Sequence, residues 1–149
     1  TPIHAHVAAG FTPLFAGVPT MVQAERILDH LKRRGFCPLD EQCYAVPSYD
    51  RLEPGYAGQH YWRGPIWINL NWLLFGGLRR YGFYSDAARV KEAVTLLTSR
   101  SGFYEHFDPE TGQGHGADQF SWSAALLIDL LSEREDNSCV ASDDLGIGP

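Results

Sequence analysis

Ile66-Trp67-Ile68-Asn69-Leu70-Asn71-Trp72-Leu73-Leu74-Phe75, residues 66–75, is apolar on nearly every side that it would have as a helix. Pro65 suits the first helical position and Gly82 suits the residue after the last turn. We therefore predict a helix over residues 66–81. A helix with so little polar surface should be buried in the interior of the domain.

Two other segments predict buried helices for the same reason. Residues 120–131 have Ala124-Ala125-Leu126-Leu127-Ile128 in their middle, with Asp118 placed to cap the helix. A shorter segment runs from about residue 6 to residue 15 and contains Pro13, which opposes a regular helix.

Residues 20–34 predict an amphipathic helix. Thr20 is the expected N-cap, Gln23 completes a capping box, and Gly35 is the expected stop. The apolar positions on one side are Ala24, Ile27, Leu28 and Leu31. The basic run Lys32-Arg33-Arg34 suits the dipole of the last turn better than it suits a binding patch.

Residues 85–100 repeat this amphipathic pattern, with Ser85 or Asp86 at the cap. The apolar positions are Val90, Ala93, Val94 and Leu97. Both amphipathic helices should lie on the outside of the domain, each with one side in water.

The order along the chain is therefore buried, amphipathic, buried, amphipathic, buried, and no segment of convincing length has the period of a strand. This order is typical of all-α folds in which helical hairpins form an inner and an outer layer. Every inner helix then begins at the same end. The connections into the inner helices, residues 36–64 and 101–117, are long and should meet at one rim.

The composition favours one ordinary soluble domain and excludes several partners. The chain has 149 residues, 44% of them hydrophobic and 20% charged. Its formal net charge of -6 argues against a nucleic acid or an anionic membrane as partner, because both are bound mainly by clustered Lys and Arg. No apolar run reaches the about 18 residues that span a bilayer, and no signal-peptide pattern is seen.

The cysteines and histidines predict neither a disulfide scaffold nor a metal site. The chain has three cysteines, Cys37, Cys43 and Cys139, which is an odd number and shows no metal-ligand spacing. This pattern favours a cytoplasmic setting. The segment 108–118 lacks the alternate ligands and the final Glu of a calcium loop. The histidines show no HExxH or Cys/His spacing, so a zinc site would need convergence in space alone: His4, His6, His60, His106 and His115. We predict no metal and no cofactor.

The two ends of the chain suggest a domain segment followed by a tail. The sequence begins Thr1-Pro2-Ile3 without an initiator Met, as expected of a processed protein or of a piece of a longer one. We assign residues 1–132 to the helical domain. Residues 133–149 have no periodicity and few apolar side chains, and we expect a disordered tail.

The first long connection ends in Gln59-His60-Tyr61-Trp62-Arg63-Gly64-Pro65, which places an indole, a phenol and a guanidinium together. Sugars are bound by this mixture, because aromatic faces cover the C–H face of a pyranose while polar groups bind its hydroxyls. The alternative is structural: Trp62 covers the core and Arg63 pairs with a carboxylate.

The second long connection contains Glu105 between Tyr104 and His106-Phe107, followed by the glycine-rich run 112–118. Aromatic neighbours and nearby charges can tune such a carboxylate for acid or base work. An isolated loop Glu is otherwise a solvated side chain, and this alternative stays open on the residues alone.

Four blocks of sequence resemble the C-terminal part of (α/α)6 inverting glycoside hydrolases of family 63, which contains processing α-glucosidase I and bacterial mannosylglycerate hydrolases. The blocks are residues 9–19, 61–74, 102–109 and 118–124. The third block is Gly102-Phe103-Tyr104-Glu105-His106-Phe107-Asp108-Pro109. They occur in the family's order within residues 9–132, and trehalases share a looser version of the last three.

The resemblance implies that the chain is part of an (α/α)6 toroid and hydrolyses an α-glucosidic or α-mannosidic bond with inversion. It assigns Glu105 as the general base, which activates water about 6.5–9.5 Å from the general acid. It also implies a sugar pocket that a small carbohydrate or glycoside would occupy, with these lining or supporting residues: Tyr61, Trp62, Arg63, Gly64, Asp118 and Trp122.

The chain departs from the family pattern in its extent. The general-acid Asp of the family belongs to an upstream hairpin without a match here, and Asp40, Asp50 and Asp118 do not lie in that motif. A full toroid has twelve helices, whereas five are predicted. We therefore expect a partial toroid that needs the rest of the catalytic domain and is inactive alone.

Two alternatives come from other classes of protein. The chain could be a sugar-binding or regulatory module that keeps the aromatic pocket without catalysis. It could instead be a helical-hairpin interaction protein whose loops contact another protein.

Overall fold

The computed structural model describes residues 5–36 and 44–133. Its five α-helices are α1 (Thr12–Ala16), α2 (Met21–Leu31), α3 (Ile68–Arg80), α4 (Tyr84–Ser101) and α5 (Ser121–Ser132). Short 3-10 turns cover Ala8–Phe11 and Arg34–Phe36, and two short strands are β1 (His106–Phe107) and β2 (Gly114–His115). The expected tail lies outside the described residues, apart from Glu133.

Helix α3 lies at the centre of the core, as predicted, but begins two residues later than expected. Ile66 is extended because its N–H donates to the Phe107 carbonyl at 2.8 Å and its carbonyl accepts the Phe107 N–H at 3.0 Å. Trp67 becomes the N-cap residue, so Pro65 is not in the helix. The α3 side chains that are fully buried include Ile68, Asn71, Leu74, Phe75 and Leu78.

The first predicted helix is shorter than residues 6–15. The chain forms the 3-10 turn Ala8–Phe11 and then α1, with Pro13 in the first turn of α1 where a missing N–H is tolerated. Gly17 ends α1 in the left-handed region at φ 70°. Leu14 is fully buried, in contact with the backbone of α3 at Gly77.

Helix α2 begins with the predicted capping box but ends before Gly35. The Thr20 N–H donates to Gln23 Oε1 at 2.9 Å, and the Gln23 N–H donates to Thr20 Oγ1 at 3.4 Å. Gly35 lies in the following 3-10 turn, where a Cβ would come within 1.6 Å of Asp50 Oδ1. The glycine is required for this close approach and is not the helix stop.

Helix α4 confirms the predicted amphipathic segment, although its cap prediction is wrong. Phe83 precedes the first residue and makes no side-chain cap, and neither Ser85 nor Asp86 has the capping role. Asp86 is buried instead and its carboxylate lies 3.2 Å from Lys32 Nζ. This ion pair joins α4 to the end of α2. Asp86 is not the cap because α4 begins at Tyr84, which places Asp86 inside the first turn.

Helix α5 begins at Ser121 after Phe120, and the exposed Asp118 does not cap it. The prediction that α5 is buried is wrong for much of its surface. Only Ser123 and Leu130 are buried, whereas Ile128 is 66% and Leu131 is 53% exposed. One side of α5 packs on α3 and α4, and no described residue covers the other side.

The strand content agrees with the absence of a long period-2 segment. Strands β1 and β2 pair antiparallel, with His106 opposite His115 and Phe107 opposite Gly114. Isolated bridges join Val7 to Tyr49 and Pro47 to Ile66. None of the described helices combines the length and the apolar content needed to cross a bilayer.

We predict that Thr20→Ala lowers the free energy of unfolding by about 1 kcal/mol, because the Gln23 amide loses its acceptor at the start of α2. Ser85→Ala is the matched control, since Ser85 is exposed near the start of α4 and caps nothing. Urea denaturation of the two variants measures both effects. Equal losses in the two variants would contradict the capping assignment.

Candidate active site

The two long connections meet at one edge of the helices, as the sequence predicted. The two hydrogen bonds between Ile66 and Phe107 join them through the backbone. Beside this junction the indole of Trp67 stacks on the imidazole of His106, with ring centroids 5.2 Å apart. Residues 61–64 and Glu105 are therefore brought to the same edge.

Both oxygens of the Glu105 carboxylate are hydrogen-bonded. Tyr61 donates its phenol hydrogen to Oε1 at 3.1 Å, and the Ala117 N–H donates to Oε2 at 3.3 Å. The Glu105 N–H in turn donates to the Ala117 carbonyl at 2.9 Å. The side chain is only partly buried, so the carboxylate is held in one orientation and stays open to a small molecule.

Glycines make room for this carboxylate. Gly116 has φ 75°, and a Cβ on it would lie 2.5 Å from Glu105 Oε2. Gly114 lies under the ring of Tyr104, where a Cβ would come within 2.1 Å of Cδ2. The glycine-rich run therefore lets the backbone pass directly against the Glu105 segment.

Tyr61 is held in an unusual backbone conformation. Its φ of 34° is in the left-handed region, which costs a non-glycine residue on the order of 1–3 kcal/mol. Trp67 Nε1 donates to the Tyr61 carbonyl at 3.0 Å, and the phenol ring lies edge-on to Trp67 at 5.0 Å. The hydrogen bond to Glu105 raises the pKa of Tyr61, with smaller contributions from burial and from the Glu105 charge, so the phenol stays a donor.

Trp62 presents one indole face to solvent. Its other face stacks on Trp67, with centroids 4.1 Å apart and planes 9° from parallel. Trp62 is 45% exposed, whereas Trp67 is buried. A flat apolar surface of this kind, fixed by a second ring behind it, suits the C–H face of a sugar.

Arg63 and Gly64 differ in their placement. Arg63 is exposed, and its guanidinium has no hydrogen-bond or ion-pair partner among residues 5–36 and 44–133, so the alternative in which it pairs with a carboxylate is not seen. Gly64 is buried, donates its N–H to Ser48 Oγ at 3.2 Å, and would place a Cβ 2.4 Å from the Ala57 carbonyl oxygen. Gly64 thus supports the loop from below and does not face solvent.

Asp118 and Trp122 are exposed and lie where the Glu105 loop enters α5. The Phe120 N–H donates to the Phe103 carbonyl at 2.8 Å, and Ser123 Oγ donates to the Tyr104 carbonyl at 2.7 Å. These bonds fix the start of α5 to the backbone just before Glu105. Among the described residues, no salt bridge joins Asp118 to Arg63 and no ring contact joins Trp122 to Trp62.

Sequence reasoning missed the residues behind this edge. Trp67 was assigned to a buried helix and His106 to the surroundings of Glu105, but the two rings stack and support Tyr61 and Trp62. Burial lowers the pKa of His106; the nearby Glu105 opposes this shift and His115 adds to it. No local pattern indicates this stacking, because the rings come from connections about 40 residues apart.

Asp108 holds the far end of the Glu105 loop. Its Oδ1 accepts the N–H groups of Glu110 at 2.8 Å and Thr111 at 3.0 Å, and its Oδ2 accepts Gln59 Nε2 at 3.1 Å. Burial alone raises the pKa of this carboxyl, but the hydrogen bonds from Thr111, Glu110 and Gln59 outweigh burial and hold the pKa below its usual range. The sequence pattern gave no sign of this role, since Asp108 stood out only as the first residue of a segment that fails as a calcium loop.

Comparison with known families identifies the chain. The model of the mannosylglycerate hydrolase MGH1-like glycoside hydrolase domain matches residues 1–123. The chain belongs to this glycoside hydrolase family. The mannosylglycerate hydrolase of Rubrobacter radiotolerans is 46% identical over 126 residues, which are 85% of this chain and 28% of that protein. The glucosylglycerate hydrolase of Mycolicibacterium hassiacum is 31% identical over 83% of this chain and 28% of that protein.

Solved structures of the family confirm the fold. The GH63 mannosylglycerate hydrolase of Thermus thermophilus in complex with Tris matches with a TM-score of 0.79 and 42% identity, over 89% of this chain and 31% of that chain. Its complex with glucose matches with a TM-score of 0.75 and 44% identity, over 86% and 32%. The helical hairpins are thus part of an (α/α)6 toroid, and the chain spans about a third of these relatives.

We predict that Asp108→Asn lowers the free energy of unfolding at pH 7 by about 1–2 kcal/mol. The folded pKa of Asp108 lies below the ordinary 3.8, so its contribution is present above that value and is lost as the pH falls through the folded pKa. The difference between wild type and variant should therefore shrink below about pH 4. Asp118→Asn, at an exposed position, is the control, and a pH-independent difference for Asp108→Asn would contradict the assignment.

Proposed function

We propose that this chain carries the general base and part of the sugar pocket of an inverting α-glycosidase. The observation that carries the proposal is the Glu105 carboxylate, which is hydrogen-bonded at both oxygens, partly exposed, and on the same edge as the open face of Trp62. Membership of a glycoside hydrolase family supports hydrolysis as the reaction.

The proposed role of Glu105 is to take a proton from water. The water oxygen attacks the anomeric carbon on the side opposite the leaving group while its proton passes to the carboxylate. The bond to the leaving oxygen breaks, and a second carboxyl group elsewhere in the domain protonates that oxygen. The hydrogen bonds that Glu105 accepts from Tyr61 and from the Ala117 N–H fix the orientation of the proposed base.

The sugar pocket is proposed to combine one aromatic face with polar groups around it. Trp62 would stack on the sugar ring, and the Arg63 guanidinium would bind hydroxyl or carboxylate oxygens of the substrate. Tyr61, Asp118 and Trp122 would form the wall, with Gly64 supporting it from below. The named relatives act on mannosylglycerate and glucosylglycerate, so a small α-mannoside or α-glucoside is the proposed substrate.

The rest of the catalytic domain is proposed to supply the general acid and to close the toroid. Two features support this need for a partner. The matched regions cover only 28% and 30% of the length of two relatives. A groove of about 770 Å³ lies away from Glu105, between α4 and the ends of α3 and α5, and its lining includes the exposed side chains of Tyr84, Leu96 and Leu131.

The reaction is proposed to use no metal and no cofactor, because a pair of carboxyl groups suffices for inversion. A cytoplasmic location is also proposed, supported by the odd number of cysteines without disulfide spacing. Neither a nucleic acid nor a membrane is proposed as partner, given the net charge of -6.

In the protein that contains the rest of the domain, we predict that Glu105→Gln lowers kcat by about 100- to 10,000-fold, because the amide cannot accept the proton of water. Kd for the glycoside, measured by calorimetry, should change little. Glu110→Gln is the matched control, since Glu110 is an exposed carboxylate in the same connection. Unchanged turnover in Glu105→Gln would exclude Glu105 as the base.

We further predict that the 149-residue chain alone releases no sugar from α-mannosides or α-glucosides. Assays of released sugar and calorimetry with the same glycosides separate the hypotheses. Turnover at the rate of a whole enzyme would refute the proposal that the general acid lies in the rest of the domain. Binding that persists without turnover even when the rest of the domain is present would favour a sugar-binding module.

A further inference from the structure

Three potential metal ligands converge on the side of the fold formed by the N-terminal segment. One ligand atom each of His6, Asp50 and Glu53 lies within 4.8 Å of the other two. His6 and Asp50 are far apart in sequence, so no motif spacing links them. Because the sequence contains no ligand spacing typical of zinc, a zinc site could arise only from residues that meet in space.

The backbone fixes two of these residues side by side. The Asp50 N–H donates to the His6 carbonyl at 3.0 Å, and the Ala8 N–H donates to the Ser48 carbonyl at 2.9 Å. A turn then returns Glu53 to the cluster, because its N–H donates to the Asp50 carbonyl at 3.1 Å. His6 Nδ1 and Glu53 Oε1 lie 2.6 Å apart.

The Asp50 carboxylate has little compensation for its charge. It is 6% exposed and accepts one backbone hydrogen bond, from the Leu52 N–H at 2.8 Å. In the described part of the chain no Lys or Arg lies within 4.0 Å of the Asp50 or Glu53 carboxylates. The adjacent guanidinium of Arg51 contacts the Arg34 carbonyl and Glu110 instead. A buried carboxylate without a countercharge is unfavourable, and a bound cation would offset that cost.

A second imidazole borders the cluster. The ring of His30, on α2, lies 5.8 Å from the ring of His6.

We propose that His6, Asp50 and Glu53 form a structural site for a divalent transition-metal ion of the zinc class. One imidazole with two carboxylates favours such an ion over Ca²⁺ or Mg²⁺, which prefer oxygen ligands alone. The ion would tie the N-terminal segment to residues 50–53. It would hold the middle of the connection that leads to Trp62 and Arg63, and it takes no part in hydrolysis.

Zn²⁺ itself is the probe, used on the untagged 149-residue chain with Cys37, Cys43 and Cys139 changed to Ser so that thiolates cannot bind it. Calorimetry should give one Zn²⁺ per chain, and Tm should rise by about 5 °C or more when Zn²⁺ is about 100 times its Kd. His6→Ala and Glu53→Gln should each weaken binding at least about 10-fold. Asp50 is left unchanged because it also supports the Leu52 turn and packs on Gly35.

His60→Ala is the matched control, because His60 is an exposed histidine outside the cluster, and it should bind Zn²⁺ as the parent does. Absence of Zn²⁺ binding by the parent would overturn the proposal. So would Zn²⁺ binding that survives both His6→Ala and Glu53→Gln, or a Tm rise of equal size with Ca²⁺. None of these outcomes depends on Glu105 or on glycoside hydrolysis, so the two proposals fail independently.

Discussion

The two backbone hydrogen bonds between Ile66 and Phe107, at 2.8 and 3.0 Å, are the constraint on which the candidate site depends. They join connections that enter two different inner helices. Because Ile66 is extended there, α3 begins only at Ile68, and Trp67 turns its ring onto His106. The residue before His106 is Glu105, so the same junction places the carboxylate beside Tyr61. Without these bonds, nothing in the described backbone would hold the connection that carries Trp62 against the one that carries Glu105.

Around that junction, rigidity comes from rings and hydrogen bonds more than from regular secondary structure. Tyr61 keeps a left-handed backbone because Trp67 bonds its carbonyl and Glu105 bonds its phenol. Trp62 keeps its orientation because Trp67 lies directly behind it. A loop built in this way needs no strand longer than two residues, yet its exposed groups are fixed relative to one another.

The sequence predicted the features that depend on interactions between residues close together in the chain. The capping box of Thr20 and Gln23 and the apolar stripe of α4 were confirmed, since both depend on neighbours within a few residues. The meeting of the two connections followed from hairpin order. The sequence could not predict pairings across the fold. Asp86 pairs with Lys32, and one side of the apolar helix α5 is left exposed by the described residues. The role proposed for Glu105 rests on a family resemblance, because one carboxylate among aromatic residues has no unique function.

Gly114 and Gly116 are the positions of this edge at which a side chain is least tolerated. A methyl group at either position would collide with Tyr104 or with the Glu105 carboxylate. Arg63, Asp118 and Trp122 are exposed, whereas Trp62 is half-exposed and covers the buried Trp67. Natural selection, or a laboratory library, could therefore change the exposed side chains of this edge more readily than the two glycines, which leave room for Tyr104 and for the Glu105 carboxylate.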